Sequence, residues 1–126
     1  MAAPYILVVE DDEDVRDSLC MVLEDDGIRV VAVSDGRAAL EHLQAGGRPF
    51  LVLLDLMMPV MDGAAFRRHQ LDDPALRGIP VILITAAGSK AAAGVSADGV
   101  LLKPVKLDSV LEVVRRFEPR PGDAGR

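Results

Sequence analysis

The chain has 126 residues, half of them hydrophobic, which is enough to bury the core of one ordinary domain. Its 20 acidic and 14 basic residues give a formal net charge of −6, which disfavours direct binding to nucleic acid. A single cysteine, Cys20, excludes an internal disulfide, and no apolar run is long enough to span a membrane. The start of the sequence also lacks a basic leader pattern. These features predict a cytoplasmic protein with no membrane insertion.

Short aliphatic runs alternate with helical patterns along the chain. The runs predict five buried strands, in order Ile6–Val9, Ile28–Val33, Phe50–Leu54, Val81–Ile84 and Val100–Leu102. The helices are predicted at an apolar face that starts at Val15, at a pattern capped by Asp35, at about Gly63–Leu71, and at an apolar face that starts at Leu107. This alternation predicts an α/β fold, a doubly wound parallel sheet with right-handed helical crossovers.

Two segments of the chain carry weaker signals. The segment Ala86–Asp98, between the fourth and fifth strands, contains two glycines and only one larger aliphatic residue, Val95. A helix there has little apolar face to dock, so we expect it to be short or mobile. The end of the chain, residues 118–126, is polar and rich in proline and glycine, which predicts a flexible tail after a domain that spans residues 1–117.

Charged and hydroxyl side chains fall where the apolar strands end. The first strand runs into Glu10 and Asp11, the third into Asp55, the fourth into Thr85 and the fifth into Lys103. These ends share one edge of a parallel sheet, where ligands bind at the point at which the strand order reverses. In the order 2-1-3-4-5, which is taken from known sheets of this kind, that point lies between the first and third strands. It brings Asp11 next to Asp55.

Several carboxylates at one edge need a compensating cation. At about 4 Å and an effective dielectric constant near 20, each close pair costs about 4 kcal/mol. Oxygen ligands without histidine or cysteine favour Mg²⁺, Mn²⁺ or Ca²⁺ over zinc. A divalent ion, Lys103 and the hydroxyl of Thr85 around Asp55 make a site suited to phosphoryl transfer, with Asp55 as the nucleophile.

Each of these residues also has an ordinary structural interpretation. Glu13, Asp14 and Asp17 are better explained by the dipole of the first helix, and for Glu10 and Asp11 the two explanations are about equal. An aspartate at a strand end, such as Asp55, often only forms a turn, and Lys103 fits a surface lysine. The functional interpretation is favoured because charged or hydroxyl residues occur together at the ends of all four of these strands.

Four motifs resemble the receiver domain of two-component response regulators. They are Val9-Glu10-Asp11-Asp12, the stretch Leu54-Asp55-Leu56-Met57-Met58-Pro59-Val60-Met61-Asp62-Gly63, Ile84-Thr85-Ala86 and Leu102-Lys103-Pro104. The resemblance runs from about Tyr5 to Phe117. It implies the five-stranded (βα)5 sheet of order 2-1-3-4-5.

The resemblance also implies residue roles. Asp55 accepts phosphate from a sensor histidine kinase or a histidine phosphotransfer protein, with Thr85 and Lys103 as the other catalytic residues. Mg²⁺ is the implied cofactor, with Asp11, Asp55 and the main-chain carbonyl of Met57 as ligands and Glu10 acting through water. The sequence alone also allows Asp11 and Asp12 to be the acidic pair.

Further residues have implied structural roles. The family usually has a cis peptide bond before the equivalent of Pro104. Pro59 and Gly63 shape the loop beside Asp55, and Asp62 fits a helix cap.

The sequence departs from the family pattern in two places. Val100 stands where the family usually has tyrosine or phenylalanine, so the usual aromatic swing coupled to Thr85 cannot operate. Thr85 and Lys103 are 18 positions apart, which is shorter than usual by about one helical turn.

The leading hypothesis is a phosphorylation-switched signalling domain, not an enzyme, that acts on a downstream protein target or through a homodimer. An alternative is an interaction module of the same fold that has lost switching, and the chain could also be a receiver excised from a longer protein. A phosphohydrolase is disfavoured because Met57 occupies the place of the second aspartate of an Asp-x-Asp motif. A flavin binder is disfavoured because the acidic run would repel its phosphate.

Overall fold

The computed structural model describes residues 3–86, 90–92 and 94–119. The strands within them are β1 (Tyr5–Val9), β2 (Arg29–Val33), β3 (Leu51–Asp55), β4 (Val81–Ala86) and β5 (Gly99–Lys103). The α-helices are α1 (Glu13–Asp25), α2 (Gly36–Gln44), α3 (Gly63–Asp72) and α4 (Leu107–Phe117), and a 3-10 helix spans Lys90–Ala92. The five predicted strands are confirmed, with their ends displaced by no more than two residues.

All strands are parallel and lie in the order β2-β1-β3-β4-β5, which confirms the predicted fold class. The three inner strands have nearly uninterrupted aliphatic sequences because helices cover both of their faces. The two edge strands, β2 and β5, are partly exposed. As a result, the ends of β1 and β3 adjoin at the centre of one sheet edge, where the strand order reverses.

The core has two parts, one on each face of the sheet. Leu54 and Phe66 belong to the part that lies under α2 and α3, whereas Leu53, Leu23 and Val110 belong to the part under α1 and α4. Neighbouring residues of a strand, such as Leu53 and Leu54, therefore pack on opposite faces. This double packing fixes the position of each strand end.

Aspartates start three of the helices. The side chains of Asp12, Asp35 and Asp62 accept hydrogen bonds from backbone N–H groups in the first turns of α1, α2 and α3. The cap at Asp35 was predicted from the sequence and is confirmed. None of the helices in the described ranges is long and apolar enough to cross a membrane.

The crossover from β4 to β5 is short, as predicted. Its helical content, within the residues that the structure describes, is the single 3-10 turn at Lys90–Ala92. Residues 87–89 and 93 lie outside the described residues, as do residues 120–126 of the predicted tail. The predicted mobility of this segment therefore stays a prediction.

Candidate functional site

The carboxyl ends of four strands bring the predicted site residues to one edge of the sheet. Glu10 follows β1 directly, Asp55 is the last residue of β3, and Lys103 is the last residue of β5. Thr85 is the penultimate residue of β4. In the register of the sheet, Asp55 is level with Ile84, so Thr85 stands one residue beyond it along the neighbouring strand. The polar residues therefore meet at the carboxyl ends of strands that are otherwise mostly aliphatic.

Three acidic residues form a compact cluster at this edge. Carboxylate oxygens of Glu10, Asp11 and Asp55 all lie within 4.8 Å of one another. Glu10 and Asp55 are buried, whereas Asp11 is exposed. Asp12 does not belong to the cluster, because its Oδ1 accepts from the backbone N–H of Val15 at 3.1 Å and caps α1. The structure thus groups Glu10 with Asp11 at the cluster and assigns Asp12 to the helix.

Lys103 supplies the positive charge beside these carboxylates. Its Nζ lies 3.2 Å from Asp55 Oδ1 and 3.7 Å from Glu10 Oε1. Partial burial lowers the pKa of Lys103, but the charges of Asp55 and Glu10 outweigh that effect and raise the pKa above its ordinary value. Lys103 is therefore a fixed cation at neutral pH.

The carboxyl group of Glu10 is costly to ionise in this position. Burial, together with the like charge of the neighbouring Asp55, raises the pKa of Glu10 to about 8, against the opposing charge of Lys103. One lysine is thus insufficient to hold all the acidic groups of the cluster in their charged form.

Three buried oxygens at this edge have no hydrogen-bond partner among the residues described. They are Glu10 Oε1, Asp55 Oδ2 and Thr85 Oγ. A buried polar atom without a partner costs about 1–3 kcal/mol, so three of them in one place demand an explanation. An oxygen-lined, negatively charged cluster fits a hard divalent cation such as Mg²⁺.

The loop after β3 supports Asp55 from the other side. The backbone N–H of Met57 donates to Asp55 Oδ1 at 3.3 Å, while the Met57 side chain is exposed. Gly63 lies so close that a Cβ atom there would stand 2.7 Å from the carbonyl oxygen of Asp55. Asp62 caps α3 through a hydrogen bond from the N–H of Ala65 at 2.8 Å, as its predicted role requires. Glycine at position 63 therefore lets this loop pack against the end of β3.

Two further features frame the site. The Lys103–Pro104 peptide bond is cis, as the resemblance implies. Arg16, which the sequence did not single out, donates from Nη1 to the carbonyl oxygen of Glu10 at 3.1 Å and ties α1 to the acidic loop. The only sequence signal for Arg16 is its position as the one basic residue among the acids that open α1.

The family model described as "Response regulator receiver domain" matches residues 6–115. The chain belongs to the response regulator receiver domain family. Receiver domains of this family act in signalling.

Curated relatives are transcriptional and sensory regulators. The phosphate regulon transcriptional regulatory protein PhoB of Escherichia coli is 34% identical over 93% of this chain and 54% of its own length. The sensory transduction protein RegX3 of Mycobacterium tuberculosis is 34% identical over 94% of this chain and 52% of its own length. This receiver thus spans about half the length of the curated relatives that it matches.

Solved receiver domains have the same fold. The receiver domain of a signal transduction histidine kinase from Syntrophus aciditrophicus superposes with a TM-score of 0.84 at 35% identity, over 91% of this chain and 89% of that one. The receiver domain of the sensor histidine kinase PA1611 from Pseudomonas aeruginosa superposes with a TM-score of 0.84 at 27% identity, over 92% of this chain and 98% of that one. These neighbours agree with the five-stranded parallel sheet described above.

Proposed function

We propose that this receiver is a phosphoacceptor of a two-component system and that Asp55 is the residue that becomes phosphorylated. The observation that carries the proposal is the difference in contacts between the two carboxylate oxygens of Asp55. Lys103 and the Met57 N–H contact Oδ1, whereas the buried Oδ2 has no hydrogen-bond partner among the described residues. One oxygen is therefore held in position and the other is free to react.

Mg²⁺ is the proposed cofactor. Asp11 and Asp55 would bind it directly with the backbone carbonyl of Met57, and Glu10 through water. The close approach of the three acidic side chains supports this assignment. So does the PA1611 receiver domain, whose structure is described with a magnesium ion coordinated in the active-site cleft. When bound, the ion neutralises negative charge on the carboxylates and on the phosphoryl oxygens.

Asp55 acts as the nucleophile in the proposed reaction. Its free oxygen attacks the phosphorus of a phosphohistidine on a sensor histidine kinase or a histidine phosphotransfer protein. The new O–P bond forms as the P–N bond breaks, and the electron pair of that bond leaves with the imidazole nitrogen, which takes up a proton. Lys103 offsets the charge of the transferred group, and the unpartnered hydroxyl of Thr85 donates a hydrogen bond to one phosphoryl oxygen.

The proposed output is a change in protein binding, to a downstream target or to a second copy of this chain. Phosphorylation of Asp55 would change the relative populations of two conformations of the loop that follows Thr85. Val100, which is 52% exposed, replaces the usual aromatic residue, so this receiver transmits the change without an aromatic swing. We also assign the chain to the cytoplasm, with residues 1–117 as the receiver and residues 118–126 as a tail.

Phosphorylation by acetyl phosphate tests the proposal. With Mg²⁺ present, the intact mass is expected to increase by one phosphoryl group. A chelator or the substitution Asp55→Asn abolishes the increase, because each removes part of the reacting site. Asp62→Asn is the matched control, since asparagine can still cap α3, and it is expected to be labelled like the wild type. Labelling that persists in Asp55→Asn would overturn the assignment.

A further inference from the structure

The acidic loop, residues 10–12, carries two of the residues proposed to hold Mg²⁺ and is fixed by hydrogen bonds. The N–H of Glu10 donates to the carbonyl oxygen of Val33 at 3.1 Å, which extends the pairing of β1 with β2 by one residue. The N–H of Asp12 donates to Glu10 Oε2 at 3.4 Å, which closes the loop on itself. All three side chains are acidic, so the loop has no apolar side chain to anchor it in the core. Its position therefore depends on these polar contacts and on any that reach its remaining backbone groups.

Arg16 of α1 supplies the contact on the carbonyl side of Glu10. Its Nη1 donates to the Glu10 carbonyl oxygen at 3.1 Å, and no other donor among the described residues reaches this oxygen of a fully buried residue. The helix itself is fixed, because Leu19 and Leu23 pack in the core and are 1% and 0% exposed. The carbonyl belongs to the planar peptide unit between Glu10 and Asp11. A bond to it from a fixed helix therefore sets the direction in which the chain enters Asp11.

The charge of Arg16 and its hydrogen bond have opposite effects on a cation site. A guanidinium group stays positive and repels a divalent cation, so by charge alone the removal of Arg16 would make Mg²⁺ bind more tightly. Loss of the hydrogen bond acts the other way, because a loop that is no longer held must be ordered when the ion binds, and that ordering costs free energy. Arg16 is half-buried, so water and salt weaken the repulsion, whereas the hydrogen bond ends at a buried residue. The hydrogen bond is therefore the larger of the two effects.

We propose that Arg16 is a positioning residue for the Mg²⁺ site and that it contacts neither the ion nor the phosphoryl donor. Its hydrogen bond holds the peptide between Glu10 and Asp11 so that Asp11 stays in the compact cluster, in which carboxylate oxygens of Glu10, Asp11 and Asp55 lie within 4.8 Å of one another. Groups that orient metal ligands in this way commonly change metal affinity by about tenfold or more. The inference rests on the proposed function, since it takes Mg²⁺ as the ion of the cluster.

Calorimetric titration of the full chain with Mg²⁺ at one fixed pH tests this proposal. Arg16→Met removes the hydrogen bond and the charge but keeps an unbranched stem, and it is expected to raise the Kd for Mg²⁺ by about tenfold. Arg16→Lys keeps the charge and a donor, so it is expected to bind Mg²⁺ more tightly than Arg16→Met does. An effect of the charge alone predicts the reverse order of these two variants, with Arg16→Met binding more tightly than the wild type.

Two control variants separate positioning from loss of charge and from loss of stability. Arg29→Met removes an equal charge from an exposed residue at the start of β2, at the opposite edge of the sheet from the acidic loop. Gln70→Ala removes hydrogen bonds to the carbonyl oxygens of Leu76 and Ile79, and it lies about two helical turns beyond Gly63, the residue of α3 that packs against Asp55. Both variants are expected to keep the wild-type Kd for Mg²⁺, the second in spite of its lower stability.

Phosphorylation by acetyl phosphate gives a second readout. In Arg16→Met, the Mg²⁺ concentration that gives half the maximal rate of labelling is expected to rise by the same factor as the Kd. The rate at saturating Mg²⁺ is expected to equal that of the wild type, because Arg16 contacts no reacting atom. A merely structural role of Arg16 would change the stability of the protein without this separation of the two quantities.

The outcomes distinguish this inference from the proposed function. A Kd for Mg²⁺ that is unchanged or lower in Arg16→Met, equal Kd values in the two Arg16 variants, a lower rate at saturating Mg²⁺, or an equal rise of the Kd in Gln70→Ala would overturn the positioning role. Mg²⁺ binding by the wild type without any labelling would overturn the phosphoacceptor proposal alone. Absence of Mg²⁺ binding by the wild type would overturn the proposed cofactor, and with it the role of Arg16.

Discussion

Two groups of buried polar side chains in this receiver can be compared directly. In α3, Arg67 and Gln70 are buried with partners for their polar atoms, and Gln70 Nε2 alone donates to the carbonyl oxygens of Leu76 and Ile79, both at 2.9 Å. At the sheet edge, Glu10, Asp55 and Thr85 are equally buried, yet each has an oxygen without a hydrogen-bond partner in the part of the chain that the structure describes. The first group is satisfied within the fold, and the second is not.

The contrast separates structure from function on physical grounds. A satisfied buried network stabilises the fold that surrounds it, whereas unsatisfied buried oxygens lower the free energy of unfolding and persist where something outside the chain uses them. The Arg67–Gln70 group holds the crossover and the loop before β4 in place. At the acidic edge, the oxygens without hydrogen-bond partners lie at the proposed phosphorylation site. Changes to the two groups should therefore have different consequences.

Among the single substitutions, the largest effect on stability is expected at Gln70. Gln70→Ala removes three hydrogen bonds, including the one from Arg67 Nη1 at 2.7 Å, and is expected to lower the free energy of unfolding by about 3 kcal/mol. The folded variant should still be phosphorylated by acetyl phosphate. Urea denaturation measures the loss, with exposed Gln44→Ala as the control that changes stability by less than about 0.5 kcal/mol. A decrease in the free energy of unfolding of less than about 1 kcal/mol for Gln70→Ala would contradict the proposed difference between the two groups of buried polar side chains.

A pH dependence is expected at the acidic edge. The pKa of Glu10 is raised from 4.5 to about 8, so the folded, metal-free protein binds more protons than the unfolded chain between these values. The free energy of unfolding should therefore fall as pH rises from about 4.5 to 8. Mg²⁺ needs the ionised carboxylate, so its affinity should rise over the same range, by up to about tenfold per pH unit.

Urea denaturation without metal and calorimetric Mg²⁺ titration at several pH values measure the two trends. Glu10→Gln should flatten both, because glutamine does not titrate. A Mg²⁺ affinity that is independent of pH in the wild type would mean that Glu10 is already ionised in the metal-free protein.

Substitutions of the adjacent residues Asp11 and Asp12 should change the free energy of unfolding in opposite directions, by smaller amounts. Asp12→Ala removes the cap of α1 and is expected to lower the free energy of unfolding by about 1 kcal/mol, with or without Mg²⁺. Asp11→Ala removes an exposed charge next to two other acids and is expected to raise it by up to about 1 kcal/mol without metal. Added Mg²⁺ should reverse the second effect but not the first. Denaturation curves with and without Mg²⁺ measure both effects. If the two substitutions changed the free energy of unfolding in the same direction in metal-free buffer, the assignment of Asp12 to the helix cap and of Asp11 to the acidic cluster would be contradicted.

Much of the fold could be predicted from the sequence. The inner strands are aliphatic runs bounded by charged or turn residues, and their alternation with amphipathic helices allows few topologies. The site residues at the strand ends follow from the same pattern. The choice between Glu10 and Asp12 as the partner of Asp11 did not, because neighbouring acids look alike until the start of α1 is fixed by the cap at Asp12.

Other features depend on contacts between distant parts of the chain. Arg67 and Gln70 resemble ordinary polar helix residues in the sequence, and their partners at Ser96, Leu76 and Ile79 are known only once the chain is folded. The exposure of Val100 and Leu102 could not be predicted either, because a strand pattern does not tell how far a neighbouring crossover extends over it.

Ligand-dependent stability tests the central claim, that the buried oxygens at the sheet edge are kept for a cation and a phosphoryl group. Thermal unfolding is followed for the wild type and Asp55→Asn without metal, with Mg²⁺, and with Mg²⁺ and beryllofluoride, which mimics the phosphoryl group. The wild type should be stabilised by Mg²⁺ and further by beryllofluoride, by about 2.7 kcal/mol when a ligand is present at a hundred times its Kd. Asp55→Asn should show no response to beryllofluoride, and an equal response in the two proteins would contradict the account.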